Sequence, residues 1–398
     1  IGGCLSPGDV DFVHVSSGST GEPTFWARSA AGEISIAVRF EQVFVDAFGC
    51  DKARTLAVVA FPMGSWVGGV FTTFCLRYLS IKGHPITVVT PGNNPAEILK
   101  CVSHLSPMFE RTCILGYPPF VKAVIDAGCA QGVAWGDFNL CLVFAGEVFS
   151  EEWRALVAQR AGIMNPLRDT ASLFGTADAG VIGSETPLSA ACRAFLSGNR
   201  ELAREVFGSE RLPTLIQYDP CTRLLEMSPQ KTLIVSAVDG APPPLSSQDR
   251  AEALEEEKVA RDAAAEVHEM TGEWPSATAV AQTVALHKAT SFKRGGRTTR
   301  DGSVMTGAPP LIRYSIGDAG GVMGFDQFLG RLEEKGFDAA SALGDASLRR
   351  QPFCWVFGRA HWAVSLYGAN VFVDQAVVGL EQPNVSSKVS GKLVLSVE

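Results

Sequence analysis

Between residues 55 and 162, short apolar runs alternate with longer helix-forming runs, and glycine or proline marks most of the joins. The apolar runs are TLAVVAF (55–61), HPITVVTP (84–91), RTCILGYP (111–118) and LCLVFAGE (140–147), and the helical runs are GGVFTTFCLRYLS (68–80), AEILKCVSHL (96–105), FVKAVIDAG (120–128) and SEEWRALVAQRAG (150–162). Strands that alternate with helices through short connections predict a layered α/β fold with a substantially parallel sheet. We expect Ser150 to cap the last of these helices and Gly128 to end the one before it.

The second half of the chain follows a different pattern. The runs TLIQYDP (214–220), RLLEM (223–227) and KTLIVSAV (231–238) lie close together, which predicts an antiparallel or barrel-like section. Residues 241–308 open with APPPLSSQ, continue as an acidic helix-favouring stretch, and become basic between Lys288 and Arg300. We interpret 241–308 as a surface insertion, a helix followed by a solvated loop. Docking of the basic piece on nucleic acid or on a membrane surface is the less favoured alternative.

Composition excludes several classes of protein. Hydrophobic residues make up 46% of the 398 residues and charged residues 19%, so the chain can bury a large core and is neither disordered nor fibrous. The net charge of −8 gives no global basic field, and we expect no nucleic-acid partner. Ten cysteines without a C-x-x-C pair are typical of reduced thiols, which predicts a cytoplasmic protein.

One segment imitates a membrane span. Residues 55–76 carry no charge, and 22 residues suffice to cross a bilayer. Pro62 and the glycines at 64, 68 and 69 divide the segment into a strand and a helix, so we expect no membrane span. The chain opens at Ile1 without a visible secretory signal, and we expect it to be a fragment of a longer protein.

The strongest local signal is the loop SSGSTGEPT (16–24), which follows the strand-like DFVHV and precedes a helical stretch. It is not a Walker loop, but its glycines and hydroxyls can wrap phosphates. The blocks SLFGTADAG (172–180), RYSIGD (313–318), GRAH (358–361) and YGANVF (367–372) follow in order. Together these motifs resemble those of the adenylate-forming acyl-CoA synthetase superfamily, and within it the phenylacetate–CoA ligase branch. The resemblance covers 11–240 and 309–398.

The resemblance implies a large nucleotide- and acyl-binding domain over 1–360, N-terminally incomplete, and the truncated start of a small C-terminal α+β domain over 361–398. It implies ATP-dependent activation of a carboxylic acid, aryl or arylacetic acids being favoured, to an acyl-adenylate, followed by transfer to the thiol of coenzyme A. ATP, Mg²⁺, coenzyme A and a small carboxylic acid are the implied ligands. A homodimer is compatible with this interpretation.

The resemblance also implies roles for individual residues. The residues that would hold the β- and γ-phosphates of ATP are Ser16, Ser17, Gly18, Ser19, Thr20 and Gly21. Those that would line the adenine site are Gly146, Glu147, Phe174 and Gly175. Asp318 would bind the ribose hydroxyls, and Arg359 would contact ribose and phosphate. Thr176, Asp178 and Arg359 would be catalytic, with Asp178 as the Mg²⁺ ligand, since a hard carboxylate oxygen suits that ion. Tyr117 and the glycine-rich 64–69 would shape the acyl pocket.

Three positions depart from the family pattern. Ala177 replaces a threonine, Asp178 is one methylene shorter than the usual glutamate, and His361 stands where the family has a hinge aspartate. Two alternatives therefore stay open: an adenylating enzyme with another acceptor, either a carrier-protein thiol or an amine, and a degenerate relative without catalysis.

Overall fold

The structure is a computed structural model. It describes residues 12–15, 25–28, 30–64, 67–237, 311–344, 346, 348–359, 363–366, 369–372, 379–380, 382–386 and 388–389. Ser16 to Gly21, the 241–308 segment and His361 lie outside these residues, so the expectations for them stay predictions.

The strands are β1 (Phe12–Val15), β2 (Phe25–Arg28), β3 (Thr55–Val59), β4 (Ile86–Val89), β5 (Arg111–Gly116), β6 (Leu140–Ala145), β7 (Thr170–Thr176), β8 (Gly180–Ser184), β9 (Thr214–Gln217), β10 (Leu224–Met227), β11 (Thr232–Ala237), β12 (Leu311–Met323), β13 (Phe353–Arg359), β14 (Ala363–Leu366) and β15 (Ala369–Phe372). The helices are α1 (Ala30–Glu41), α2 (Val67–Ile81), α3 (Pro95–Leu105), α4 (Pro118–Ala130), α5 (Glu151–Arg160), α6 (Pro166–Asp169), α7 (Pro187–Ser197), α8 (Arg200–Phe207), α9 (Phe325–Glu333), α10 (Ala339–Leu343) and α11 (Pro383–Ser386). The end of α1 continues as a π-helical segment, Gln42–Ala47.

Among the described residues, eleven strands form one mixed sheet in the order β10-β11-β12-β13-β9-β8-β7-β6-β5-β3-β4. The five strands from β7 to β4 run parallel, as the alternation of strands and helices predicts. The remaining strands pair antiparallel. In the 211–238 region the structure therefore shows antiparallel pairing, and these strands extend the main sheet.

Helices cover both faces of the parallel part. Ala57 and Val59 of β3 pack in a cluster with α1 and α2, whereas Leu56 and Val58 pack with α3, α4 and α5. Both faces of the strand are buried, which explains its continuous apolar sequence, and each of its leucine and valine side chains contributes about 1.5 to 3 kcal/mol by leaving water. The strand order reverses between β3 and β5, and ligands of such sheets bind outside the carboxyl ends of the strands at this point.

Two helix ends test the expectations about capping. The Ser150 hydroxyl accepts a hydrogen bond from the Trp153 amide at 3.1 Å, so the predicted cap of α5 is confirmed. The expected end of α4 at Gly128 is wrong, because the helix continues to Ala130. A Cβ at Gly128 would lie 2.3 Å from the Trp135 ring, so this glycine allows a close approach of the ring and does not cap the helix.

The uncharged segment 55–76 forms β3 and most of α2, as expected. Within the described part of the chain, we find no helix that is both long enough and apolar enough to span a membrane.

The loop 16–24 connects two strands of a hairpin. The sequence predicts a helix after the loop, but β2 comes first and pairs antiparallel with β1, with Val15 opposite Phe25. The aromatic residues at the start of β2 favour a strand, and α1 begins only at Ala30.

Candidate functional site

The strands β5, β6 and β7 are parallel neighbours, so the segments that follow them meet at one edge of the sheet. There Tyr117 donates a hydrogen bond from its hydroxyl to Glu147 Oε1 at 2.6 Å. Gly146 has a φ of +96°, and a Cβ would lie 3.4 Å from the Tyr117 ring. Burial, and then the hydrogen bond to Glu147, raise the pKa of Tyr117 well above its usual value, so its hydroxyl stays a donor. The tyrosine therefore fixes the expected adenine segment.

The turn between β7 and β8 holds the expected catalytic pair. Thr176 donates its hydroxyl proton to Asp178 Oδ1, and the Ala179 amide donates to both side chains, at 3.1 Å to the hydroxyl and 2.8 Å to the carboxylate. The second oxygen, Asp178 Oδ2, accepts no hydrogen bond from the described part of the chain. One carboxylate oxygen thus builds the turn, and the other is available to a ligand.

Glycines allow the tight geometry of this turn. A Cβ at Gly175 would lie 2.5 Å from the carbonyl oxygen of Gly180, so no larger residue fits between the two strands. Gly180 has a φ of +65°, and a Cβ there would lie 2.7 Å from Ile36 of α1. The turn is therefore packed closely against α1. Phe174, on the strand that leads into the turn, is half-buried and packs against the apolar cluster that contains Ala179 and Ile316.

Two buried arginines hold the turn from outside. Arg28 of β2 donates from Nη2 to the carbonyl of Ala177 at 2.8 Å, and Arg223 donates from Nη2 to the carbonyl of Ala179 at 3.1 Å. Their exposed fractions are 7% and 1%. Sequence reasoning missed both residues, because no motif marks them and the contacts cross 149 and 44 residues of chain.

The expected ribose site lies on β12 and β13. Asp318, almost fully buried, is opposite Arg359 in the antiparallel register. Ile316 lies two residues before Asp318 on β12, and both are buried. Ile316 packs in one apolar cluster with Ala179 of the β7–β8 turn and with Cys354 of β13, whose thiol pKa is raised by burial and further by the charge of Asp318. The same cluster therefore joins the neighbours of Asp318 to the turn.

The β1–β2 hairpin contacts both β12 and the β7–β8 turn. The Trp26 ring lies edge-on to the ring of Tyr314 on β12, with centroids 6.0 Å apart, while Arg28 reaches the turn. The two strands that flank the loop 16–24 therefore lie beside β12 and the β7–β8 turn. Three of the four ordered sequence motifs thus converge with the flanks of the loop.

The carboxylate of Asp178 fits Mg²⁺ only if a phosphate of the substrate binds the same ion. No group of three or more His, Cys, Asp or Glu residues that could hold a metal occurs in the described ranges. Mg²⁺ is commonly held by one or two carboxylates together with substrate phosphates and water. The free oxygen of Asp178 matches that mode, whereas a site built from protein ligands alone does not.

No protein-family model matches this sequence, and no curated protein matches it. Among solved structures, 2-hydroxyisobutyryl-CoA ligase in the postadenylation state, in complex with R3-HIB-AMP, aligns over 95% of this chain and 58% of its own, with 13% identity and a TM-score of 0.50. This chain has the fold of that acyl-CoA ligase.

Two further structures are similar at lower TM-scores. ATP-bound MatB from Rhodopseudomonas palustris aligns over 95% of this chain and 54% of its own, at 10% identity and a TM-score of 0.45. The O-succinylbenzoate coenzyme A synthetase MenE from Bacillus subtilis, in complex with ATP and magnesium ion, aligns over 92% and 54%, at 12% identity and a TM-score of 0.42. The chain spans little more than half the length of these ligases.

Proposed function

We propose that the protein is an AMP-forming acid–thiol ligase of the phenylacetate–CoA ligase type, which activates an aryl or arylacetic acid with ATP and transfers it to coenzyme A. The observation that carries the proposal is that β2 contacts both the Asp178 turn and β12, where Asp318 lies opposite Arg359, on the fold of a CoA ligase. The domain division at residue 360 belongs to the same proposal.

Two displacements make up the proposed reaction. An oxygen of the substrate carboxylate attacks the α-phosphorus of ATP, the bond to the β-phosphate bridge oxygen breaks, and pyrophosphate leaves with the bonding electrons. The thiolate sulfur of coenzyme A then attacks the acyl carbon, the bond from that carbon to the AMP oxygen breaks, and AMP leaves. Both steps form and break one bond each, so neither needs an oxidant or a reductant.

The candidate residues on β12 and in the β7–β8 turn suit the first step. The carboxylate of Asp318 can accept hydrogen bonds from both ribose hydroxyls. Asp178 offers Oδ2 to the metal of a metal–nucleotide complex, and Thr176 holds the other oxygen of that carboxylate in a fixed orientation. When bound, Mg²⁺ supplies neutralisation of the charge on the phosphates. The loop 16–21 would hold the departing pyrophosphate.

Tyr117 and Glu147 would shape the space between adenine and acid. Their hydrogen bond holds the aromatic ring of Tyr117 beside the segment that follows β6. An aromatic wall favours a flat acyl group through offset or edge-to-face ring contacts. The preference for aryl acids rests on this wall and on the sequence resemblance.

The test is ATP–pyrophosphate exchange on the full-length protein, screened against arylacetic, benzoic, fatty and amino acids. Exchange with one acid would establish adenylation and name the substrate class. Thioester formation with coenzyme A, compared with a phosphopantetheinyl carrier protein and with amines, then identifies the acceptor.

Asp318→Asn tests the ribose site, because it keeps the shape of the side chain and removes the negative charge that favours hydrogen bonds from the ribose hydroxyls. We expect exchange and ATP affinity to fall together. Exchange that is absent with every acid, while ATP still binds, would favour the degenerate relative. If the wild-type protein does not bind ATP, the ligase assignment is refuted. Homodimer formation and a cytoplasmic location stay predictions.

A further inference from the structure

The connection between β6 and α5 is exposed at one end and buried at the other. Gly146 and Glu147 are exposed, whereas Phe149 is 5% exposed. Glu147 accepts the hydrogen bond of the Tyr117 hydroxyl at 2.6 Å, and this pair lies where the parallel strands β5 and β6 end. Ligands of such sheets bind outside these ends. The contacts that hold Phe149 therefore also influence how the pair faces a ligand.

The ring of Phe149 contacts two buried guanidinium groups. The guanidinium carbons of Arg154 and Arg193 are 5.1 and 5.6 Å from the centroid of the ring. The rings of Phe144 and Trp153 lie beside it, with centroids 5.1 and 4.9 Å away. A cation this close to an aromatic ring is attracted to it, and most strongly where water is excluded. Together these contacts fix the position of the ring.

Arg193 also holds the backbone of the connection. Its Nη2 donates to the carbonyl of Phe149, its Nη1 donates to Glu151, and its Nε donates to the carbonyl of Pro213 at 2.6 Å. The residue is 2% exposed and belongs to α7, 44 residues along the chain from Phe149. A guanidinium presents its N–H groups in one rigid plane, so bonds from all of its nitrogens fix it and whatever it binds.

We infer that Arg193 is a positioning residue, which fixes Glu147 and Tyr117 through Phe149. Glu147 is two residues before Phe149, and its own hydrogen bond passes the constraint on to Tyr117. The inference rests on the proposed function in one respect, since that function assigns the Glu147 segment to the adenine site. The positioning itself rests on the contacts of these four residues.

A positioning role makes a local prediction. If Arg193 only stabilised the fold, its replacement would lower the unfolding midpoint and leave the folded site unchanged. If it positions the pair, its replacement also weakens the hydrogen bond from Tyr117 to Glu147 in the folded protein. Arg193→Lys suits this test, because lysine keeps the positive charge but lacks the rigid fork that reaches both carbonyls and Glu151 at once.

The strand β5 offers a matched control. Arg111 is the first residue of β5, and Tyr117 directly follows the last one. Like Arg193, Arg111 donates to a backbone carbonyl that is distant along the chain, in this case that of Phe48. Arg111→Lys therefore makes the same chemical change at the opposite end of the strand.

The experiment follows the Tyr117 phenol by NMR in the full-length protein, isotope-labelled at the ζ carbon of tyrosine. Tyr117→Phe identifies its resonance, and Glu147→Ala shows where the resonance lies without the hydrogen bond. In Arg193→Lys we expect it to move toward its position in Glu147→Ala. We also expect the dissociation constant of ATP with Mg²⁺, measured by calorimetry, to rise about tenfold. Arg111→Lys should change neither.

An unchanged resonance in folded Arg193→Lys, or an equal shift in Arg111→Lys, would overturn the positioning role. If Arg193→Lys does not fold, Phe149→Leu decides, because it removes the aromatic ring and keeps an apolar side chain. In that variant too, an unchanged Tyr117 resonance overturns the role.

The ATP measurement separates this role from the proposed function. A shifted resonance with an unchanged ATP constant would support the positioning by Arg193 and refute an adenine site beside the pair. A wild-type protein that does not bind ATP would overturn the proposed function, while the resonance would still test Arg193. The two failures are therefore distinguishable.

Discussion

Replacement of Arg154 by leucine should destabilise the protein severely, because it leaves a buried carboxylate without its cation. The Arg154 side chain is 1% exposed and that of Glu185 is 2% exposed. The guanidinium donates to Glu185 at 2.6 and 3.0 Å, to Glu151 at 2.9 and 3.2 Å, and to Thr170 at 2.7 Å. Removal of one partner from a buried ion pair costs about 3 to 5 kcal/mol. That is a large share of a total stability of about 5 to 15 kcal/mol.

The double variant Arg154→Leu/Glu185→Leu separates the charge effect from the loss of packing. With both charges gone, two defects remain: the amide of Ser172, which donates to Glu185 at 3.0 Å, would lose its acceptor, and Glu151 would keep Arg193 but lose Arg154. An unsatisfied buried amide costs about 1 to 3 kcal/mol. The double variant should therefore be more stable than the single one.

The measurement is urea unfolding followed by circular dichroism, with Arg204→Leu as the surface control. Arg204 pairs with Glu210 where both side chains are largely exposed, so we expect no measurable change in the unfolding midpoint. A single variant Arg154→Leu that is as stable as this control would refute the reasoning. So would a double variant that is less stable than the single one.

Three further predictions follow from the same geometry. Gly180→Ala should lower the free energy of unfolding more than Gly208→Ala does. Both glycines have a positive φ, +65° and +73°, but only a Cβ at 180 would meet a neighbour within 4 Å. Equal unfolding midpoints of the two variants would contradict this. Asp178→Asn should lower ATP–pyrophosphate exchange at least tenfold, equivalent to about 1.4 kcal/mol in the barrier, and Asp178→Glu should retain activity if the carboxylate binds the metal. Burial raises the pKa of Glu151, but its two arginine partners outweigh this and lower it overall. Its contribution to stability is therefore complete above the usual carboxyl range and disappears as the pH falls through the lowered pKa, so acid unfolding of Glu151→Gln should show a weaker pH dependence than that of wild type.

Much of the parallel half could be predicted from the sequence because its signals are local. The strand and helix runs between 55 and 162 match β3 to β6 and α2 to α5, and the hydroxyl of Ser150 caps α5 as its position indicates. Periodicity, propensity and capping act over a few residues, so they survive without knowledge of the tertiary contacts.

The errors arose where a distant neighbour decides the local structure. Gly128 has the sequence context of a helix end, but the ring of Trp135 requires a residue without a Cβ within the helix. β2 forms because β1 lies beside it to pair with, and the aromatic side chain of Trp26 then packs on Tyr314. The local sequence preferences at Gly128 and at β2 carry no information about either of these contacts.

The sequence alone determined the strand–helix alternation and the order of the motifs, from which the α/β class and the candidate residues Thr176, Asp178 and Asp318 followed. Only the tertiary structure decided what holds them: Arg28 on the carbonyl of Ala177, Arg223 on the carbonyl of Ala179, and the pairs that bury charge. The physical reason is that an apolar pattern specifies which face of an element is buried, but not which distant backbone group a buried charge will meet. That partner depends on the order of strands in the sheet, which arises only when the whole chain packs.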